Sequence, residues 1–485
     1  MIDSPPGVWR ARPLVLAVLL AVTSPLGAQP RPVQPAQGAA ASFGDAIDDA
    51  TQAMEARDYP ALRRSLRAAL AFAPDDPRLL YQLARAEART GDTAAALASL
   101  ERLAPQGAAR DVAADSAFVA LRALPRFEAV VRRLAAGAAP VLRSDTAFTL
   151  SDPDFIPEGI AYDPADDVFY VGSLQQRRIV RVRRDGSTSD FATSGQDGLG
   201  QVLGLRVDSA RRRLWVATLA VDSAAPRFRR GVGGWAALHA YDLRDGRLAA
   251  RYAAPDSTRP HLLNDVAIGP DGAVYVTDSE GDALYRLPVG GSALERVHGG
   301  APAFSYPNGI AFDPARPRLY VAHIEGISVV DVAGDGAPRV ARMVAPAGVG
   351  TGGVDGLYAC RGGLLAVQSL LDFQQVTHFA LSADGRGITS ARALERRHPA
   401  HDAATTGALT GTELYYIANA QLDRLLDGGG LAPAAEPHRS VILRLPVDVS
   451  CAGPTRRAAD AERAPIRGQT TGRSAISDKE RSGRF

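Results

Sequence analysis

Lysine is nearly absent from this sequence, since Lys479 is the only one in 485 residues. A Schiff-base lysine or a phosphate-loop lysine is therefore excluded from the whole chain ahead of its tail. The sequence also lacks the G-x-S-x-G, H-E-x-x-H and C-x-x-C patterns of serine hydrolases, zinc proteases and dithiol sites. Lysine-dependent mechanisms and the standard serine-elbow and zinc mechanisms are excluded with them.

Cysteine is also scarce, and the net charge of the chain is small. Cys360 and Cys451 are the only cysteines, so the chain has no disulfide framework and contains either one bridge in an exported protein or two unpaired thiols. The 55 basic and 53 acidic residues leave a formal charge of +2, without a dense basic tract. Neither nucleic acid nor an anionic membrane surface is therefore expected as a partner.

The two ends of the chain differ from its middle. Two arginines precede a short apolar run, residues 14–22, and small residues follow it, as in a cleavable export signal. Cleavage at another position, or retention of the run as an anchor, is the alternative, and no other segment is apolar enough to span a bilayer. We expect a periplasmic or secreted protein with a signal peptide, a linker and a disordered tail, at residues 1–28, 29–42 and 449–485.

Residues 43–137 carry apolar side chains at intervals of three and four and predict an all-α domain. Its clearest part, residues 75–106, has two apolar stripes separated by Gly91 and ended by Pro105. This part resembles a tetratricopeptide repeat, with weaker two-helix patterns on either side. So few repeats make a marginal stack, and we expect the helices to rest on the next domain. They form either a groove for a protein or peptide partner or a structural cap.

Beyond residue 140 the helical period stops, and one strand-turn-strand pattern recurs six times. Its plainest copy is residues 262–279, where two apolar runs flank a Gly-Pro-Asp-Gly turn. The spacing of roughly 44 to 60 residues suits a four-stranded blade. The expected fold is an all-β six-bladed β-propeller over residues 145–448, with a β-sandwich as the alternative. The copies begin at Pro157, Gln201, Leu263, Pro307, Val354 and Thr406.

Polar residues recur at one position in these copies, at the start of the first strand. Closing the strands into a ring points this position toward the axis at one face. Two carboxylates and two carboxamides are oxygen ligands, which favour a hard cation over a soft-ligand zinc or copper site. Ca²⁺ is the expected metal, with Mg²⁺, Mn²⁺ or Zn²⁺ as alternatives, although each residue taken singly also fits ordinary turn chemistry. The six positions are Glu158, Leu203, Asn264, Asn308, Asp355 and Gly407.

Four motifs at these positions resemble the senescence marker protein and gluconolactonase family, to which paraoxonases are more distantly related. They are PEG at Pro157, LND at Leu263, PNG at Pro307 and VDG at Val354. The resemblance covers roughly residues 145–448 and implies a six-bladed propeller that binds one divalent metal on its axis.

The same resemblance implies roles for single residues. It makes Glu158, Asn308 and Asp355 metal ligands, with Asp355 also a general base or nucleophile. Asn264 matches a residue beside the metal and the substrate, which coordinates the metal in paraoxonase-like members. Leu203 stands where paraoxonases place a catalytic histidine, so a histidine-dependent mechanism is not implied.

The sequence thus predicts an exported, divalent-metal-dependent hydrolase of the lactonase type, acting on a small lactone or ester. A metal would polarise the carbonyl while a carboxylate activates water. The alternative is a non-catalytic scaffold of helices and propeller that binds a protein partner, with its metal structural or absent. Polar residues near strand ends and in one loop are candidate helpers, each also readily structural: Asp265, His261, Asp278, His323, Asp372, His398, His401 and Asp402.

Overall fold

The computed structural model describes most of the chain between residues 40 and 447. The described residues are 40, 42–108, 110–220, 235–256, 258, 260–299, 304–332, 338–370, 374–425, 431–432 and 438–447. The expected signal peptide and tail, Cys451 and Asp372 lie outside them. None of the described helices has the length and apolar character needed to cross a bilayer. Cys360 is buried and disulfide-bonded.

The N-terminal region is helical, as expected, and its first four helices begin at side-chain caps. Ser42, Asp58 and Asp92 each accept a hydrogen bond from a backbone N–H of the first turn, which satisfies a donor that has no partner within the helix. The helices pack around a shared apolar core, and the helix Pro77–Arg89 is buried over most of its surface. The tetratricopeptide assignment stays a prediction. The helices are α1 (Phe43–Glu55), α2 (Tyr59–Phe72), α3 (Pro77–Arg89), α4 (Thr93–Leu103) and α5 (Pro125–Gly137), with 3₁₀ turns at Ala104–Gln106 and Ser116–Leu121.

The rest of the described chain is the expected six-bladed propeller, in which every blade is a four-stranded antiparallel sheet. In blades 1 to 5 the four strands follow one another in sequence. Blade 1 is β2 (Pro157–Asp163), β3 (Val168–Ser173), β4 (Ile179–Arg183) and β5 (Thr188–Ala192). Blade 2 is β6 (Gln201–Asp208), β7 (Arg213–Ala220), β8 (Trp235–Asp242) and β9 (Leu248–Ala253). Blade 3 is β10 (Leu263–Ile268), β11 (Val274–Asp278), β12 (Ala283–Leu287) and β13 (Glu295–Gly299).

The remaining blades close the ring. Blade 4 is β14 (Ile310–Phe312), β15 (Arg318–His323), β16 (Gly326–Asp331) and β17 (Arg339–Arg342). Blade 5 is β18 (Val354–Cys360), β19 (Gly363–Gln368), β20 (Gln375–Leu381) and β21 (Ile388–Arg396). Blade 6 combines β22 (Gly407–Thr410), β23 (Glu413–Ile417) and β24 (Val441–Pro446) with β1 (Asp145–Thr149), which pairs with β24. The first and last strands of the propeller thus share one sheet, which removes the open ends of the ring.

The first strands of neighbouring blades approach closely around the axis because glycine follows the axial residue in every blade except blade 3, where Asp265 takes its place. A Cβ atom on Gly159 would lie 2.0 Å from Leu203 O, and one on Gly309 would lie 2.4 Å from Asp355 O. Both distances are far below van der Waals contact, so only glycine permits this spacing. The glycines of the PEG and PNG motifs therefore serve ring closure, while the residues before them point to the axis.

The helical region rests on the face of the propeller where the first strands begin. Ile324, in the β15–β16 turn, packs against the helical core. Antiparallel pairing brings the end of each second strand back to the start of the first, as in the pairs Pro157 with Ser173 and Val354 with Gln368. The β15–β16 turn therefore lies on the same face as the axial residues. The helices thus rest on the next domain, which is the arrangement expected from the sequence.

Candidate metal centre

Four of the side chains expected at the axis are buried at this face. Glu158, Asn264, Asn308 and Asp355 lie at or just before the start of the first strands of blades 1, 3, 4 and 5. Each residue is only 4% to 6% exposed. Asp355 accepts a hydrogen bond from the Asn308 side chain and lies close enough to Glu158 for the two carboxylates to repel each other. The fold thus brings residues from opposite parts of the chain into one cluster.

In blade 6 the matching position is Thr406, one residue before the expected Gly407. A Cβ atom on Gly356 of blade 5 would lie 3.1 Å from Thr406 Cα. Thr406 therefore lies against the glycine of the preceding blade, as the axial residues of other blades do. Its Oγ1 donates a hydrogen bond to Glu158 O at 2.7 Å and links blade 6 to blade 1. Gly407 is therefore the counterpart of the closure glycines, and a hydroxyl joins the ring of axial side chains.

The carboxylates of this cluster resist ionisation. Burial, together with the charges of Asp355 and Asp265, holds the pKa of Glu158 well above its usual range. Burial raises the pKa of Asp355 to about 7, with Asp265 adding to the shift and hydrogen bonds from Asn308 and Ser369 opposing it. Adjacent buried carboxylates are unfavourable without a compensating positive charge. The cluster therefore has the electrostatics of a cation site.

Three oxygen atoms of the cluster are buried without a hydrogen-bond partner. They are Glu158 Oε2, Asn264 Oδ1 and Asn308 Oδ1. Buried polar atoms are nearly always satisfied, so three unsatisfied acceptors in one place call for a common partner. A bound cation can satisfy all three at once.

The orientation of the Asn264 amide follows from its neighbours. Ser279 Oγ lies 2.6 Å from the Pro307 carbonyl oxygen, which can only accept, so the single hydroxyl proton goes there. Ser279 must then accept from Asn264, whose Nδ2 lies 3.0 Å away. The amide nitrogen is thereby fixed on Ser279, and Oδ1 is left for the axis.

The residues present fit a hard divalent cation. Carboxylate and carboxamide oxygens are the ligands that Ca²⁺ prefers. The strands that carry these side chains are rigid and hold the oxygens in place. Across the described residues there is no cluster of three or more His, Cys, Asp or Glu side chains suited to a metal. Half of the ligand set is amide, which distinguishes this centre from such clusters and disfavours a soft metal.

Asp265, a predicted helper, is committed to structure. Its Oδ1 accepts a hydrogen bond from Val266 N at 2.7 Å and its Oδ2 one from Ile310 N at 3.2 Å, which ties the first strands of blades 3 and 4 together. Arg206 Nη2 lies 3.6 Å from Oδ1. Burial raises the pKa of Asp265, and the Arg206 charge opposes that shift. Asp265 therefore supports the cluster and adds negative charge beside it.

The remaining predicted helpers are engaged elsewhere. His323 contacts Glu325 Oε2 through Nδ1 at 2.5 Å and Ser328 Oγ through Nε2 at 2.9 Å, so neither ring nitrogen is available. His401 Nε2 lies 2.9 Å from Tyr416 OH, and His398 Nδ1 accepts a hydrogen bond from a backbone N–H in the same loop. The two histidines of the loop that contains Asp402 thus each bond to a neighbouring group.

The sequence of the propeller matches one known family. Residues 156–389 match the sequence profile described as "SMP-30/Gluconolactonase/LRE-like region". This region of the chain is similar to that family. The matched region contains all four residues of the cluster and excludes both the helical region and the blade 6 strands. The motifs PEG, LND, PNG and VDG all lie within this matched region.

Several solved structures are similar to this SMP-30/gluconolactonase-like propeller. A Xanthomonas campestris gluconolactonase is 22% identical, with 65% of this chain and 93% of that chain covered and a TM-score of 0.43. A calcium-binding regucalcin from Agrobacterium tumefaciens is 15% identical, with 64% and 95% covered and a TM-score of 0.43. A PQQ-bound aldose sugar dehydrogenase from Streptomyces coelicolor is 17% identical, with 64% and 100% covered and a TM-score of 0.42. These likenesses concern the fold alone, and no curated protein matches the chain.

Sequence reasoning missed the serines that orient the cluster of this SMP-30/gluconolactonase-like propeller. Ser279 fixes the Asn264 amide, and Ser369 Oγ donates to Asp355 Oδ2 at 3.4 Å. Ser173 holds the equivalent position in blade 1, where its hydroxyl donates to the backbone oxygen Phe155 O. A signal was present, because in these three copies of the repeat the second strand ends in or is followed by serine. The recurrence reflects a hydroxyl beside the axial position.

His261 is held as a cation near this centre. Its Nδ1 lies 2.6 Å from Asp278 Oδ2 and its Nε2 lies 3.0 Å from Asp256 O. A carbonyl and a carboxylate both accept, so both ring nitrogens carry protons. The hydrogen bond to Asp278, aided by that charge, raises the pKa of His261 above its ordinary value of 6.5, against the effect of burial. His261 is thus a structural cation and not a general base.

We expect this pair to make stability depend on pH. Because the folded-state pKa of His261 is raised, its contribution is fully present below pH 6.5 and is lost as pH rises through the folded pKa. His261→Gln should cost on the order of 1–3 kcal/mol of unfolding free energy in the acidic range, and progressively less above it. Denaturant melts of both proteins between pH 5 and 9 measure the difference.

The control is His298→Gln, because burial and the Arg296 charge lower the pKa of His298 instead of raising it. Its effect on stability should have the opposite pH trend. A loss in His261→Gln that is the same at every pH would refute the charged state assigned to His261.

Proposed function

We propose that this protein is an exported, divalent-metal-dependent hydrolase of the lactonase type. The observation that carries the proposal is the set of three buried, unsatisfied oxygens beside Asp355 on the propeller axis. Glu158, Asn264, Asn308 and Asp355 would hold the metal, and calcium is the metal that their chemistry favours. The disulfide at Cys360 supports export, because disulfides persist in oxidising compartments.

A divalent metal supplies charge that polarises the lactone carbonyl and stabilises the oxyanion that develops on it. The protein supplies the base. Asp355 accepts hydrogen bonds from Ser369 and from the Asn308 side chain, which orient the carboxylate that would accept the proton of the attacking water. Asn264, whose amide Ser279 orients, lies at the same face and is the candidate substrate contact. Burial of the cluster excludes bulk water from these contacts.

The second candidate function is a binding scaffold in which the metal is structural or absent. It is favoured by a concave cavity of about 400 Å³ in the helical region. Apolar residues such as Leu70 and Leu83 and the charged residues Arg67, Glu87 and Arg102 line this cavity. A peptide with both apolar and charged side chains would suit such a surface.

Metal analysis and a substrate panel distinguish the two functions. Purified protein should contain about one divalent ion per chain by mass spectrometry of metals, and should hydrolyse lactones such as glucono-1,5-lactone, with activity lost in chelator and restored by Ca²⁺. Simple aryl esters and γ-lactones complete the panel. Protein without bound metal and without hydrolysis of any member, with Ca²⁺, Mg²⁺, Mn²⁺ or Zn²⁺ supplied, would refute the enzyme and leave the scaffold.

A further inference from the structure

Two chain segments enclose Asp355 on the metal face. One is the loop of residues 346–353 that leads into β18, and the other is residues 368–370 at the end of β19. The two are bonded together, since Ser369 N and Leu370 N both donate to Gly353 O at 3.1 Å. Ser369 reaches Asp355 from the second segment, so the position of that segment sets the position of the carboxylate.

The helical region holds both segments. Gly348 N donates to Asp75 Oδ2 at 3.1 Å, and Gly350 N donates to Gln106 Oε1 at 2.9 Å, which fixes the first segment. Arg78 Nη1 donates to Leu370 O at 2.8 Å, which fixes the second. These three contacts join parts of the chain that are about 240 to 290 residues apart in sequence. They lie where the helices meet blade 5 and not at a remote rim.

The Arg78 contact is built as a rigid one. The guanidinium is bonded to Asp76 through Nη2 at 2.7 Å and Nε at 3.2 Å, and Arg78 is only 8% exposed. Asp76 is the N-cap of α3 and also accepts from the backbone of its first turn, so the helix fixes the pair. An arginine with Nε and Nη2 committed to one carboxylate presents Nη1 in a defined direction. A rigid donor is more than packing alone would need.

We propose that the helical region braces the metal centre, and that Arg78 is a positioning residue that holds Leu370, and through it Ser369, against Asp355. This proposal rests on the proposed function for its catalytic consequence. It assigns the helices a role within the site, beyond either a separate docking module or an inert cap. It also explains why the chain places a buried ion pair at this contact, where apolar residues would pack without desolvation cost.

The test compares Arg78→Met with Arg63→Met in the full-length chain. Arg63 is a matched control, because its guanidinium bonds to Thr90 and Asp92 within the helical region. Amide hydrogen exchange of residues 354–370 should accelerate several-fold in Arg78→Met and stay unchanged in Arg63→Met. Calcium affinity by titration calorimetry and kcat on glucono-1,5-lactone should each fall about 10-fold, as for other residues that orient metal ligands. Arg78→Lys, which keeps a donor for Leu370 O, should recover part of both losses.

Unchanged exchange in residues 354–370 of Arg78→Met overturns the brace. Faster exchange with calcium affinity and kcat equal to those of Arg63→Met overturns the positioning role, because the contact would then serve only stability. If the unmodified protein neither binds a divalent metal nor hydrolyses lactones, the proposed function fails, and the exchange result alone decides whether the brace exists.

Discussion

Asp355→Asn should reduce kcat/KM for lactone hydrolysis by about 10³-fold or more, because it removes both a metal ligand charge and the proposed base. Asparagine keeps the size of the side chain and can still accept from Ser369, so the surrounding contacts survive. The stability of the fold should not fall, since burial already disfavours the ionised form of the carboxylate that the substitution removes. Initial rates on glucono-1,5-lactone at saturating Ca²⁺, together with a thermal melt, measure both effects.

Asp208→Asn is the matched control for this substitution. Asp208 is 4% exposed, as Asp355 is, but lies at the far end of the first strand of blade 2, where it accepts from Arg211 N at 3.0 Å. Its loss should lower stability and leave kcat/KM within a few-fold of the unmodified protein. If Asp355→Asn retains more than about a tenth of the activity, the base lies elsewhere, and the general-base role assigned to this carboxylate fails.

The propeller could be read from the sequence because its signals are local. The turn Gly269-Pro270-Asp271-Gly272 and the apolar runs beside it specify one hairpin, and six copies at similar spacing specify a ring. In the blades that carry PEG, LND, PNG and VDG, alignment of the repeat copies was enough to locate the axial residue. It failed by one residue in blade 6, where two threonines precede the glycine and Thr406 takes the axial place. Alignment on the closure glycine, the physically constrained residue, gives the right register in blade 6.

The supporting contacts of the site could not be read in the same way. The Ser369–Asp355 and Asn264–Ser279 bonds each join two strands of one hairpin and have only a weak trace in the repeat. The bond from Arg78 to Leu370 joins residues 292 positions apart, and no periodic pattern encodes such a pair. Side-chain orientation at the axis also depends on which neighbour accepts and which donates. These are properties of the assembled ring.

Glu158→Gln should separate the metal's contribution to stability from that of the fold. Without metal, Glu158 lies buried against the charges of Asp355 and Asp265, which holds its pKa high and destabilises its charged form. The neutral amide relieves that repulsion, so the metal-free variant should melt at or above the temperature of the metal-free parent. At a Ca²⁺ concentration 100 times Kd the parent should gain about 2.7 kcal/mol, a shift of several degrees, and the variant almost none.

Glu395→Gln distinguishes this effect from the loss of any buried glutamate. Glu395 is fully buried, and its Oε2 accepts from Arg143 N at 3.0 Å and Ser144 N at 2.8 Å, in the segment that leads into β1. Its substitution should lower the melting temperature with and without Ca²⁺ and preserve the shift between them, because two backbone donors bond to one oxygen of this carboxylate and it lies outside the axial cluster. A full Ca²⁺ shift in Glu158→Gln would remove Glu158 from the ligand set. Opposite signs for the two metal-free variants would show that the axial carboxylates trade stability for metal binding, whereas the Glu395 carboxylate serves the fold.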